Sequence, residues 1–213
     1  MYSIIFSSAV RAGIPQKGRI RLLLLTLTSI CITTEPKGAL RVYNDYGFEM
    51  DTLEDELRRK TLLQLLDEFR RRKTPIQAIG LQSHLRLDGS RFDANIYRKF
   101  LRNISDRGFL ILITELDVFD LKTPASIAVR DRMVADLYFH LLDTALENKA
   151  VKAVVTWGLV DSYSWLTPRY DPHFERSDRL PSRPLPFDEG FQPKSSFWAM
   201  VRSFQNAPWR ERA

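Results

Sequence analysis

The chain has 213 residues, 44% hydrophobic and 27% charged, with 32 basic against 26 acidic side chains and a formal net charge of +6. That length suffices for one sizeable core or for part of a larger one, and the composition is that of a globular protein. A single cysteine, Cys31, excludes a disulfide framework within the chain and a cysteine-based zinc cluster; no run reaches the roughly 18 apolar residues of a membrane span.

Taken in chain order, the first segment is the least legible. Residues 22–33, LLLLTLTSICIT, follow Arg11, Lys17, Arg19 and Arg21, as the apolar stretch of a secretory leader follows its basic region. The run starts late and lacks a small-x-small cleavage site. A buried strand or helix fits equally well, and so does a mis-joined or truncated gene start. From residue 39 the pattern becomes regular. ALRVYNDY (39–46) is a short strand ending in polar residues. A helix follows over about 52–72, capped by Thr52 with Asp55 at its third position, with Leu53, Leu57, Leu62, Leu65, Leu66 and Phe69 as its apolar stripe. The densest basic cluster, Arg70 to Lys73, ends this helix; cations there complement the helix dipole, which reads as a solvated helix end rather than a nucleic-acid patch.

IQAIGLQSHL (76–85) is the next strand, and Asp88-Gly89 marks a turn. A second helix spans about 93–107 with Ile96, Tyr97, Phe100, Leu101 and Ile104 inward and Gly108 as its stop. FLILITELDV (109–118) is the third strand. A long helix follows from about Pro124 to Asn148, and VKAVVTWGLV (151–160) is the fourth strand. A proline-rich loop covers 167–190, and a last helix, about 194–205, packs Phe197, Trp198, Val201 and Phe204. Strands separated by long helices imply βα repeats and a parallel sheet. Polar residues gather at the C-terminal ends of the strands, where (β/α)8 barrels build active sites and open α/β sheets bind ligands. No glycine-rich phosphate fingerprint follows any strand, which favours a barrel.

Chemistry concentrates at three of these ends. Regular alternation puts Ile111, Ile113, Glu115 and Asp117 on one face of their strand, pointing into a barrel, and Leu110, Leu112, Thr114 and Leu116 on the other, toward the helices. Glu115 at a barrel mouth fits a nucleophilic carboxylate; a helix cap or a structural ion pair is the competing reading for Glu115 and Asp117. His84 ends the preceding strand and could be held by one acid while orienting the other. Trp157 and Trp165 fit either sugar-stacking platforms or core.

Together NDY (44–46), GLQSHL (80–85), ITELDV (113–118), VTWGLVDSYSWL (155–166) and PLPFDEGFQPKSSFW (184–198) resemble, in order and spacing, the strand-end motifs of family-10 glycoside hydrolases, the endo-1,4-β-xylanases. The resemblance covers about 36–206 and implies a partial (β/α)8 TIM barrel of about strands five to eight. On this reading 1–34 is an unmatched segment, 35–206 the C-terminal half of the barrel and 207–213 a tail. The resemblance further implies that Glu115 is the nucleophile, that His84 hydrogen-bonds it and that Asp117 positions the histidine. Gln82 would lie near the acid/base, Asn44 and Tyr46 toward the leaving group, and Trp157 and Trp165 along the glycone subsites. It implies a retaining attack on xylan or a related β-1,4-linked polysaccharide, with no metal, cofactor, nucleic acid or membrane, in an extracellular setting. One departure is expected: no WDVVNE-like motif bearing the acid/base glutamate occurs, and Glu35, in TTEPKG, is the one acid before Asn44. Half a barrel leaves two open sheet edges and a large apolar face, which points to a gene fragment, a degenerate carbohydrate-binding remnant, or a chain completed by an N-terminal half-barrel.

Overall fold

A computed structural model describes the backbone of residues 3–7 and all of 39–209. The 22–33 apolar run, Cys31 and Glu35 lie outside the described residues. The elements are strands β1 (Ser3–Ser7), β2 (Leu40–Asp45), helix α1 (Leu53–Arg71), β3 (Ala78–Leu81), β4 (His84–Arg86), α2 (Ala94–Ser105), β5 (Leu110–Phe119), α3 (Ile127–Leu146), β6 (Val151–Thr156) and α4 (Ser195–Asn206). Every strand pairing is parallel, in the order β1-β2-β3-β5, with β4 and β6 also pairing with β5. The β-α alternation read from the sequence is therefore present. Strand β1 was not foreseen: it lies beside β2 with Ser7 in register with Asn44.

The helices cover one face of the sheet. Tyr43, Ile79, Leu81, Ile111 and Ile113 pack there against Leu62, Leu66, Phe69, Tyr97, Phe100, Leu101, Leu141 and Leu142. Val42, Ala78 and Leu112 form a separate small cluster, with Leu40 and Leu110 against it. This corrects the expected facing of β5: Ile111 and Ile113 point to the helices, and Leu112 points away from them. The alternation is broken between Ile113 and Leu116. Leu81 pairs with Ile113 but His84 with Asp117, so β5 advances four residues against its neighbour's three. On its other side β5 advances from Ile113 to Leu116 while β6 advances only from Val154 to Thr156. A surplus residue of this kind is a β-bulge; it flips the phase of everything downstream and re-aims side chains near a functional site.

Three further expectations are corrected. The strand read as 76–85 is cut at Gln82-Ser83, where Ser83 takes φ 60°. Helix α1 is capped by Thr52 Oγ1, which accepts the Asp55 N–H at 3.1 Å as expected. Its buried stripe, however, starts with Asp55 and Arg59 rather than Leu53 and Leu57, which stay exposed. Buried charge is tolerated there because Arg59 donates to the Phe48 and Met50 carbonyls and Asp55 accepts from Met50 and Arg86. On α4 the buried positions are Ser196 and Ser203, while Trp198 and Phe204 are exposed.

The loop after β6 is fastened by charge. Asp120 and Arg130 are fully buried; Asp120 Oδ2 accepts from Arg130 Nε at 3.1 Å and Nη2 at 2.5 Å, and from the Arg183 N–H at 3.0 Å. Arg130 also donates to the Pro181 carbonyl at 2.6 Å. Arg176 binds the Asp120 carbonyl, the Thr123 carbonyl and the Asp178 carboxylate. Proline-rich chain without regular hydrogen bonds is thereby tied to the end of β5 and to α3. Along β6 and just beyond it Val155, Trp157, Leu159 and Tyr163 are exposed, and among the described residues no strand pairs with the outer edge of β6.

Candidate active site

Asn44 is the penultimate residue of β2 and is almost completely buried. Its Nδ2 donates to Glu115 Oε1 at 2.8 Å, while its Oδ1 accepts the Thr114 hydroxyl at 2.7 Å. The amide is thus held at both ends, and consecutive residues of β5 reach the same partner because the bulge turns both toward it. Gly80 makes room: a Cβ there would stand 2.3 Å from Asn44 Oδ1. The Glu115 N–H donates to the Gln82 carbonyl at 3.0 Å, and the Gln82 N–H donates to the Asp45 carbonyl at 3.0 Å, so the break in the second strand stitches β2, β3 and β5 together at this level.

His84 lies between two carboxylates. Its Nδ1 is 2.8 Å from Asp117 Oδ1 and its Nε2 is 3.5 Å from Glu115 Oε2. Asp117 is fully buried, and its Oδ2 accepts the Trp165 indole N–H at 2.7 Å. Burial alone would lower the imidazole pKa, but the bonds and charges of Asp117 and Glu115 outweigh it and raise it to about 9. Burial pushes Asp117 up against the pull of His84 and Trp165. Burial also pushes Glu115 up, yet the His84 and Asn44 hydrogen bonds prevail and hold its carboxyl below the ordinary value. The centre is therefore an ionised Glu115 fixed by an amide and an imidazolium, at a strand end where the carboxylate keeps some access to solvent.

A folded-state pKa raised above 6.5 stabilises the fold most fully below pH 6.5, and this contribution is lost as pH rises through about 9. The urea-unfolding stability of the wild type relative to His84→Gln should accordingly shrink between pH 6.5 and 9. A constant difference across that window would contradict the protonated imidazole.

Aromatic rings wall the centre. His84 is 5.2 Å from the Trp165 ring and 6.4 Å from Trp157, in tilted and edge-on arrangements. Phe119 and Phe174 extend this wall, each edge-on to Trp165 at 5.6 and 5.0 Å. Trp165 is partly buried, whereas Trp157 is 46% exposed and offers a free face. A flat indole beside a carboxylate is suited to stacking on a sugar ring.

Of the residues singled out from sequence, Asn44, His84, Glu115, Asp117, Trp157 and Trp165 converge here. Gln82 joins them through its backbone. Tyr46, two residues beyond Asn44, carries the Arg58 guanidinium 4.4 Å above its ring. Thr114, Gly80, Phe119 and Phe174 were missed. Thr114 was assigned to the helix side by regular alternation; Phe119 and Phe174 carry no pattern of their own. Among the described residues no group of His, Cys, Asp and Glu side chains is arranged to hold a metal ion, and no helix is long and apolar enough to cross a membrane.

Comparison with known proteins gives a consistent answer. The model of Glycosyl hydrolase family 10 matches residues 33–203. Endo-1,4-beta-xylanase B of Thermotoga neapolitana is 28% identical over 174 residues, covering 82% of this chain and 46% of that protein. An endo-1,4-beta-xylanase of Geobacillus stearothermophilus is 31% identical over 171 residues, covering 76% and 48%. The crystal structure of native xylanase 10B from Thermotoga maritima superposes with a TM-score of 0.73 at 25% identity, covering 94% of this chain and 60% of that one. Xylanase 10B from Thermotoga petrophila RKU-1, in complex with xylobiose, gives 0.69 at 26%, covering 86% and 51%. The chain thus spans about half the length of the curated relatives it matches.

Proposed function

The chain belongs to glycosyl hydrolase family 10, and on that premise we propose that its centre acts on β-1,4-linked xylan by a retaining mechanism with Glu115 as the nucleophile. The observation that carries this reading is the Glu115 carboxylate itself, held ionised between Asn44 Nδ2 at 2.8 Å and His84 Nε2 at 3.5 Å. Glu115 attacks the anomeric carbon, the glycosidic C–O bond breaks and its electron pair leaves with the departing oxygen. Water then cleaves the glycosyl ester and restores the carboxylate. His84 keeps Glu115 deprotonated and aimed, and Asp117, fixed by Trp165, keeps His84 in place. Trp157 and Trp165 line the glycone side.

Asp117 is too buried and too fully engaged to protonate a leaving group. In this reading the general acid comes from outside the centre described, supplied by a complementing half-barrel that also provides the remaining strands. The reading also places the protein outside the cell, where a polymeric substrate is met. General-acid assistance contributes about 10²–10⁴-fold, so a chain without it should act only on substrates whose leaving group needs no proton. Purified protein is expected to release dinitrophenolate from 2,4-dinitrophenyl β-xyloside while leaving xylotetraose intact, and to bind xylotetraose with a change in tryptophan fluorescence. Binding without aryl xyloside turnover would favour an inactive carbohydrate-binding remnant. Absence of both binding and turnover would overturn the xylan reading.

A further inference from the structure

Glu49 is a buried carboxyl that the centre does not touch. It is 2% exposed. Its Oε2 accepts the Phe48 N–H at 2.8 Å, and its Oε1 accepts the Ser83 hydroxyl at 3.0 Å. Placing a carboxyl in an interior is costly unless hydrogen bonds satisfy it. The Phe48 bond is local. The Ser83 bond reaches 34 residues along the chain to the break between β3 and β4.

Ser83 occupies a left-handed conformation, φ 60°, that disfavours any residue with a Cβ. It is fully buried and stands between two residues the centre depends on. The Gln82 carbonyl accepts the Glu115 N–H, and the His84 ring contacts both Asp117 and Glu115. Relaxation of Ser83 toward an ordinary extended backbone would rotate His84 away from both acids. The hydroxyl's other acceptor, the Leu81 carbonyl, is distant at 3.4 Å. The Glu49 end is rigid. Arg59 grips the carbonyls of Phe48 and Met50 on either side of it, each at 2.8 Å, and Asp55 holds the Met50 N–H at 2.8 Å. Asp55 is held in turn by Arg86 at 2.9 Å. The charged and titratable groups facing Glu49 are thus Asp55 from α1 and Tyr97 from α2; those facing His84 are Glu115 and Asp117 from β5.

We propose that Glu49 is a positioning residue that, through its hydrogen bond to Ser83, fixes the left-handed turn presenting His84 to Glu115 and Asp117. This assignment rests on the reading of the Glu115–His84–Asp117 centre given above. The test is NMR titration of the imidazole resonances in the full chain, where His84 is one of three histidines and needs no turnover to be followed. In Glu49→Ala the His84 pKa should fall from about 9 by at least a unit toward 6.5. Glu49→Gln, whose amide oxygen can still accept from Ser83, should stay within a few tenths of the wild type. Ser83→Ala removes the hydroxyl but keeps the Cβ that strains the turn, so it should titrate with Glu49→Ala, whereas Ser83→Gly adopts the turn freely and should titrate nearer the wild type. If Glu49→Ala does not fold, Glu49→Gln and Ser83→Ala decide. Wild-type titration in a folded Ser83→Ala, or in a folded Glu49→Ala, overturns the role of Glu49 alone. A wild-type His84 titrating near 6.5 instead overturns the centre on which it rests.

Discussion

Glu115→Ala should abolish release of dinitrophenolate from 2,4-dinitrophenyl β-xyloside, lowering kcat by about 10⁴ or more. No other described carboxylate can take its place. Asp117 accepts from His84 at 2.8 Å and from Trp165 at 2.7 Å, and its side chain has no exposed surface. The fold should survive, because Glu115 contributes bonds at the rim and no apolar burial. An external anion offers a sharper check. Azide entering the space vacated by the carboxylate can attack the anomeric carbon as the phenolate departs, giving α-xylosyl azide, of opposite configuration to the substrate. Recovery of that product in Glu115→Ala, with none in wild type, is the expected outcome. An unchanged hydrolysis rate in the alanine variant would remove Glu115 from the chemistry.

Arg130→Met should destabilise the fold by about 3 kcal/mol, because it strips the buried Asp120 carboxylate of its two-pronged partner and leaves only Arg176, 4.0 Å away, as counter-charge. Against a typical total of about 5–15 kcal/mol, that is enough to unfold a large fraction of the protein near physiological temperature. Burial decides the size of the effect. Lys60 and Glu56 form a comparably short pair, 2.6 Å, on an exposed face of α1, and Lys60→Ala should leave the denaturation midpoint almost unchanged. In the double variant Arg130→Met/Asp120→Asn the cost should be smaller than in Arg130→Met alone, since the orphaned charge is gone. Urea denaturation gives these differences. Limited proteolysis adds a local readout: the 167–190 loop, held through Arg130, Arg176 and Arg183, should be cut first in Arg130→Met. A loss below about 1 kcal/mol would show that the buried ion pair is incidental to the fold.

The β-α alternation was legible because helices α2 and α3 each keep a helical period, while β5 opens as an unbroken apolar run. Tyr97, Phe100, Leu101 and Ile104 recur at helical spacing and are buried as that spacing predicts. Failures came where pairing overrode pattern. Asp55 and Arg59 took inward positions on α1 because nearby backbone groups and Arg86 satisfy them, leaving Leu53 and Leu57 outside. Trp198 and Phe204 look like core by composition, yet the inner face of α4 holds Ser196 and Ser203, with Ser196 Oγ donating to the Leu185 carbonyl. At the centre, the residue types at strand ends announced Asn44, His84, Glu115 and Asp117, but the facing was misjudged. Strict alternation cannot coexist with Ile113 among the helices and Glu115 against Asn44 unless the strand carries an additional residue, and no local signal in ITELDV marks it.

That irregularity separates two obligations within ten residues. Upstream of it, Ile111 and Ile113 answer to the helices and set how solid the molecule is. Downstream, Glu115 answers to the mouth and its visitors, and Asp117 to the His84 and Trp165 side chains behind it. Volume changes at 111 or 113 can thus tune robustness while leaving the reactive groups aligned, and changes at 115, on the rim, can rewrite the chemistry without opening a hole in the interior. An uninterrupted pleat would have forced one set of side chains to face the wrong way for the sake of the other.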